Sequence, residues 1–155
     1  MIEAISPRQD CGKVSINEDH ITWEANAVPL LKIDISKIAA LGEYTTVHAL
    51  HRNEWFIVFI FDENETYQVS TYAEGMQEVL EKLSGLLNCE ISPKLALESD
   101  FKSNILWPQE LSGTQLYQLK VMEPKSFFDR FRARLGFGSP LELVLNEPLL
   151  ESIRG

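Results

Sequence analysis

The feature that most constrains this chain is a run of seven apolar residues from Trp55 to Phe61. In a strand with one solvated face, polar and apolar residues would alternate, so a run that is apolar on both faces is typical of a central strand covered on each side. The run is well short of the roughly 20 residues that a membrane span needs. It therefore predicts the middle of a buried sheet, and no transmembrane segment is expected.

Five further strands are predicted around this run. Asp62-Glu63-Asn64-Glu65 is a charged turn that leads into a strand over residues 66–70, so the two runs form a hairpin. Val14 to Trp23 alternates in polarity around Asn17-Glu18-Asp19, which indicates a second hairpin. Residues 31–35 alternate after Pro29, a residue that strands tolerate at their start. Residues 38–47 predict a strand around Gly42.

A helix is predicted over residues 72–88. Thr71 and Glu74 have the spacing of a capping box, and Asn88 is a suitable C-cap. The apolar residues recur on one face of a 3.6-residue helix. This stripe consists of Met76, Val79, Leu80, Leu83, Leu86 and Leu87.

The rest of the chain predicts two more strands and a second helix. The strands cover residues 101–107 and 115–122, and the helix covers residues 125–135, with Pro124 near its start and Gly136 after its end. The last stretch, residues 139–155, contains enough leucine to dock on the body of the protein. We expect one α+β domain over residues 1–122, with residues 123–155 as a C-terminal helix and tail packed on it.

Three segments resemble pleckstrin-homology-like barrels: Val28 to Ile38, Glu54 to Phe59, and Thr71 to Met76 leading into the leucine stripe. The resemblance covers residues 13–88, where six strands are counted against the family's seven. It implies an antiparallel, strongly bent sheet or barrel, capped by the helix at 72–88, and a protein-binding scaffold. The basic cluster of lipid-binding members is not matched, because the first hairpin sets Lys13 beside several acids.

Charge is distributed unevenly along the 155 residues. The formal net charge is −9, and residues 1–88 contribute 14 acids against 6 bases. Such acidity repels phosphates, so nucleic acid is not the expected partner. We expect a protein partner, and a basic one in the most specific form of the hypothesis. Ordinary solubility is the alternative explanation of the charge.

The candidate protein-binding residues are the acids of the two hairpin regions. They are Glu18, Asp19, Glu24, Asp62, Glu63 and Glu65. A candidate oligomer interface is the aromatic face of the second helix, Phe127, Phe128 and Phe131, which would make a homodimer. The alternatives for that face are packing against the core and lying at a membrane interface.

No residue pattern indicates catalysis, and no cofactor or metal is expected. His48 and His51 lack the further clustered ligands that a metal site needs. Cys11 and Cys89 are far apart in sequence, and either free thiols or a single bridge are compatible with this spacing. With no signal peptide recognisable, the chain is expected to be cytoplasmic.

These observations favour a non-catalytic binding protein of bacterial type. The most specific hypothesis is an acidic immunity- or antitoxin-like inhibitor of a basic partner, because charge complementarity accelerates association. The alternative is a structural or assembly subunit that oligomerises through the Phe-rich helix. A third class, an enzyme with a dispersed carboxylate site, would require a deep pocket with converging polar groups.

Overall fold

The computed structural model describes residues 7–46, 54–95, 101–121 and 141–155. In these residues the protein has the predicted α+β class, with three antiparallel sheets and two α-helices. The sheets do not close into a barrel among the described strands, and an open, bent sheet is the alternative compatible with them.

The first sheet has the order β1-β2-β3, and its strands are β1 (Lys13–Ile16), β2 (His20–Ala25) and β3 (Val28–Asp34). The predicted hairpin turn forms because the Asn17 Oδ1 accepts hydrogen bonds from the amides of Asp19, at 2.9 Å, and His20, at 2.7 Å. This side-chain bonding is why asparagine favours such turns. The hairpin and the following strand are therefore confirmed.

The second sheet has the order β6-β5-β4-β7. Its strands are β4 (Ala40–Thr45), β5 (Trp55–Ile60), β6 (Thr66–Ser70) and β7 (Lys102–Trp107). Alternate residues of β5 enter two different cores: Ile57 and Phe59 on the inner face, and Val58 and Ile60 on the outer face. The prediction that this apolar run is a central strand covered on both sides is confirmed.

The third sheet pairs β8 (Tyr117–Val121) with β9 (Leu141–Leu145), and α2 (Glu147–Arg154) follows. Leu149 and Leu150 of α2 are buried with Val58 and Ile60 of the second sheet. The predicted strand at 115–122 and the docking of the last stretch are thus confirmed. The predicted helix at 125–135 lies outside the described residues.

Helix α1 (Met76–Leu86) begins later than predicted, so the prediction of a capping box at Thr71 and Glu74 is wrong. Residues 71–73 form a turn after β6, and Glu74 makes an isolated parallel bridge with Lys13, in which its amide donates to the Gly12 carbonyl at 2.9 Å. Gly75, at φ 91°, then turns the chain into the helix, and a Cβ there would lie 2.2 Å from the Val14 carbonyl oxygen. Pairing with the N-terminal segment therefore takes precedence over the local capping signal.

The leucine stripe of α1 covers the inner core as expected. Met76, Val79, Leu80 and Leu83 are buried, whereas Leu86 is 53% exposed and Leu87 is half-buried. Asn88 adopts a left-handed conformation just past the helix, as residues after a helix end often do.

Strand β3 lies at the edge of the first sheet among the described strands, and its start is poorly suited to further pairing. Pro29 lacks an N–H, and the register shift between Trp23 and Glu24 leaves Leu30 without a strand partner. Proline and bulges on edge strands hinder edge-to-edge association. The side chains of Val28 and Leu30 are 55% and 57% exposed.

Candidate functional site

Two acidic turns lie at the same end of the molecule. The turn after β1 contains Glu18 and Asp19, and the turn after β5 contains three more acids. Both adjoin the β3–β4 connection, because the Ile35 amide donates to the Asp19 carbonyl at 2.9 Å and the Ala39 amide donates to the Ile60 carbonyl at 2.7 Å. We call the exposed side chains of Glu18, Asp19, Asp62, Glu63 and Glu65 the acidic end.

Glu24 is not part of the acidic end. It lies toward the opposite end of β2, where its register partners are Lys13 and Pro29. Glu24 is close to Glu18 and Asp19 in sequence, but the two ends of a six-residue strand lie about 17–20 Å apart. The sequence alone therefore could not show that Glu24 is separate. The structure therefore brings together five of the six acids named from the sequence.

The turn after β5 is held by its own acidic side chains. The Asp62 Oδ1 accepts hydrogen bonds from the amides of Asn64, at 2.7 Å, and Glu65, at 2.9 Å. The Tyr67 hydroxyl donates to the Glu65 Oε1 at 2.5 Å, and this hydrogen bond raises the pKa of Tyr67. The carboxylates thus fix the turn while remaining on the surface.

One acid of this turn has an intramolecular counterion. The guanidinium of Arg154, at the end of α2, contacts the Glu63 carboxylate, and this contact raises the pKa of Arg154. Within the described residues, no side-chain hydrogen bond or ion pair engages Glu18 or Asp19. These two carboxylates are therefore the most available charges of the acidic end.

A second group of polar side chains is buried beneath the sheet rather than exposed. Glu43 of β4 is 0% exposed, and its Oε1 accepts from the Lys94 amide at 2.8 Å and from the Asn104 Nδ2 at 2.9 Å. Its Oε2 accepts from the Trp55 indole Nε1 at 2.9 Å and from the Leu95 amide at 3.4 Å. Sequence reasoning missed this residue, because a glutamate within a strand usually points to solvent.

An aromatic group lies on the outer face of the second sheet. The ring of Tyr44 is 5.2 Å from that of Phe56 and 5.7 Å from that of Tyr117, and Phe101 lies 6.2 Å away. Burial raises the pKa of Tyr117 to about 12, with a smaller contribution from Tyr44. The phenols are therefore neutral at physiological pH, and the group packs as an apolar surface.

Two clefts lined by described residues have both polar and apolar walls. The larger, of about 560 Å³, is lined by both Arg8 and Lys13 and by both Glu24 and Glu74. The smaller, of about 290 Å³, lies beside Lys94 and Ser92. In the described parts of the chain, no group of three His, Cys, Asp or Glu side chains could hold a metal ion.

The remaining candidates divide into free thiols and residues that are not described. Cys11 is buried and Cys89 half-buried, and both are free, so the bridged alternative is wrong. Burial raises the pKa of the Cys11 thiol. His48, His51 and the predicted interface of Phe127, Phe128 and Phe131 lie outside the described residues.

Neither α1 nor α2, the two helices of the described chain, has the length and apolar content needed to cross a membrane. Comparisons with protein-family models, with curated proteins and with solved structures give no match to this chain.

Proposed function

We propose that this protein binds a basic protein partner through the acidic end. The observation that supports the proposal is the meeting of two acidic turns, distant in sequence, beside one connection of the fold. Charged groups of one sign, grouped on a surface, attract an oppositely charged partner and accelerate its association.

The rigidity of the turns supports this role. The side-chain oxygens of Asn17 and Asp62 accept hydrogen bonds from the amides that follow them, and these bonds hold both backbones in place. A surface that is already ordered loses little conformational entropy when it binds, so more of the interaction energy appears as affinity. The most specific form of the proposal is an immunity-like inhibitor that covers a cationic surface of its partner.

The test measures association of the protein with a fluorescent peptide rich in lysine and arginine, by anisotropy and stopped flow. Replacing Glu18 by Gln and Asp19 by Asn together is expected to slow association roughly 3- to 10-fold at low salt, because steering depends on local charge. The difference should shrink at physiological ionic strength, where the Debye length is about 8 Å.

A control variant separates the effect of the acidic end on the association rate from the effect of net charge. The double substitution Glu78→Gln and Glu81→Gln changes the net charge equally, on the exposed side of α1. It is expected to leave the association rate close to that of the wild type. If both double variants slow association to the same extent, or if added salt has no effect, the acidic end is not the binding surface.

A further inference from the structure

Residues 91–95, which follow α1, belong to no strand ladder. We call these residues the strap. The Ile91 side chain is buried in the inner core, and the Ile91 amide donates to the Ser84 hydroxyl oxygen at 3.0 Å. Pro93 is also buried. The first half of the strap is therefore anchored by apolar packing and by α1.

The second half of the strap is anchored by one carboxylate. The amides of Lys94 and Leu95 donate to the two oxygens of Glu43, as described above. Buried backbone amides without partners are costly, and an irregular segment has no ladder to supply them. Glu43 supplies both acceptors from the neighbouring strand.

The Glu43 carboxylate fits the hydrogen-bond donors around it better than the side-chain amide of a glutamine would. All four groups that contact Glu43 are donors: two backbone amides, the Trp55 indole and the Asn104 side-chain amide. An ionised carboxylate offers acceptors only, whereas glutamine replaces one oxygen by a group that donates two hydrogens. The donors beside that group would then lose their acceptor.

We propose that the strap is a separately opening segment of the fold and that the buried carboxylate of Glu43 is the latch that keeps it closed. Opening of the second half, residues 93–95, requires the release of two amide hydrogen bonds, while Ile91 stays buried in the inner core and α1 and the sheets stay in place. Segments with few ladder bonds commonly open at lower free energy than the whole domain.

Opening would also alter the smaller cleft. Ser92 and Lys94 of the strap line this cleft together with Gln109 and Ser112. Lys94 is the basic residue among those that line it. The latch therefore sets the width of the cleft and the position of its positive charge.

Native-state hydrogen exchange on the full chain tests the proposal. In the wild type, the amides of Lys94 and Leu95 should exchange faster than those of β4 and β5, and their rates should depend only weakly on added denaturant. Equal rates and equal denaturant dependence for strap and sheet would refute the separate opening. This comparison needs no variant.

The variant Glu43→Gln tests the latch. The exchange of the Lys94 and Leu95 amides is expected to accelerate about 5- to 100-fold relative to the amides of β4 and β5, since buried donors lose an acceptor. Glu24→Gln is the matched control, being the same change on a strand remote from the strap, and should leave strap exchange unchanged. Uniform acceleration over the whole chain, or none at the strap, would overturn the assignment of Glu43 as the latch.

Discussion

Two leucines three residues apart on α1 provide a direct test of the core. Leu83 is 0% exposed within the inner core, whereas Leu86 is 53% exposed. Leucine and alanine both favour helices, so the same exchange at Leu83 and at Leu86, the last residue of α1, changes helix propensity little at either site. The difference between the two variants therefore isolates burial.

The expected magnitudes differ clearly. Removing a buried leucine side chain costs about 2–5 kcal/mol, through lost transfer energy and the cavity that remains. A half-exposed surface position usually changes stability by less than about 0.5 kcal/mol. Since domains are stable by about 5–15 kcal/mol, Leu83→Ala removes a large share of the total.

The free energy of unfolding is measured by urea titration followed by circular dichroism. For a chain of this size, each kcal/mol corresponds to about 2–4 °C in Tm, so thermal unfolding provides an independent measure. The slope of the titration should be unchanged between the two variants. A difference of less than about 1 kcal/mol between them would refute the placement of this face of α1 in the core.

Four other substitutions test three further predictions. Gly75→Ala should destabilise the fold by roughly 2 kcal/mol or more, because φ at this residue is positive and the new Cβ would meet a backbone carbonyl. Gly85→Ala should stabilise the fold by about 0.5–1 kcal/mol, because the space around its Cβ is open. Urea titration of both variants tests this contrast. The pKa of Tyr117 is about 12 in the fold against 10.0 unperturbed, so the unfolded chain ionises first and stability should fall between pH 10.0 and about 12. Tyr117→Phe should remove that part of the pH dependence, as measured by denaturant unfolding across this range. Arg154→Gln should leave the urea midpoint almost unchanged, as expected for a surface ion pair, and should speed binding of the basic peptide because Glu63 loses its counterion; slower binding would contradict this role.

The sheet-forming half of the fold could be predicted because its signals are local. Alternation and turn residues located β1 to β6, and the apolar run correctly identified β5 as buried on both faces. The predicted start of α1 was wrong because the segment before Gly75 forms hydrogen bonds with residues more than fifty positions earlier. A capping pattern read within a few residues cannot account for such a partner.

The candidate site could be predicted only in part, for the same reason. The acids of each turn were identifiable one hairpin at a time, but whether Glu24 joined them depended on which end of β2 it occupied. The role of Glu43 depends on Lys94, Leu95 and Asn104, which lie 51, 52 and 61 positions further along the chain. No spacing in the sequence links them.

The two-sided burial of β5 has a consequence for synthesis of the chain on the ribosome. The outer face of the second sheet, with Val58 and Ile60, is covered by residues that are made much later, Leu116, Leu145, Leu149 and Leu150. At a synthesis rate of about 5–20 residues per second, that apolar face stays exposed for several seconds before the residues that cover it are made. A nascent chain of this protein therefore exposes an apolar sheet face during that interval, and this is when a chaperone would protect it most from aggregation.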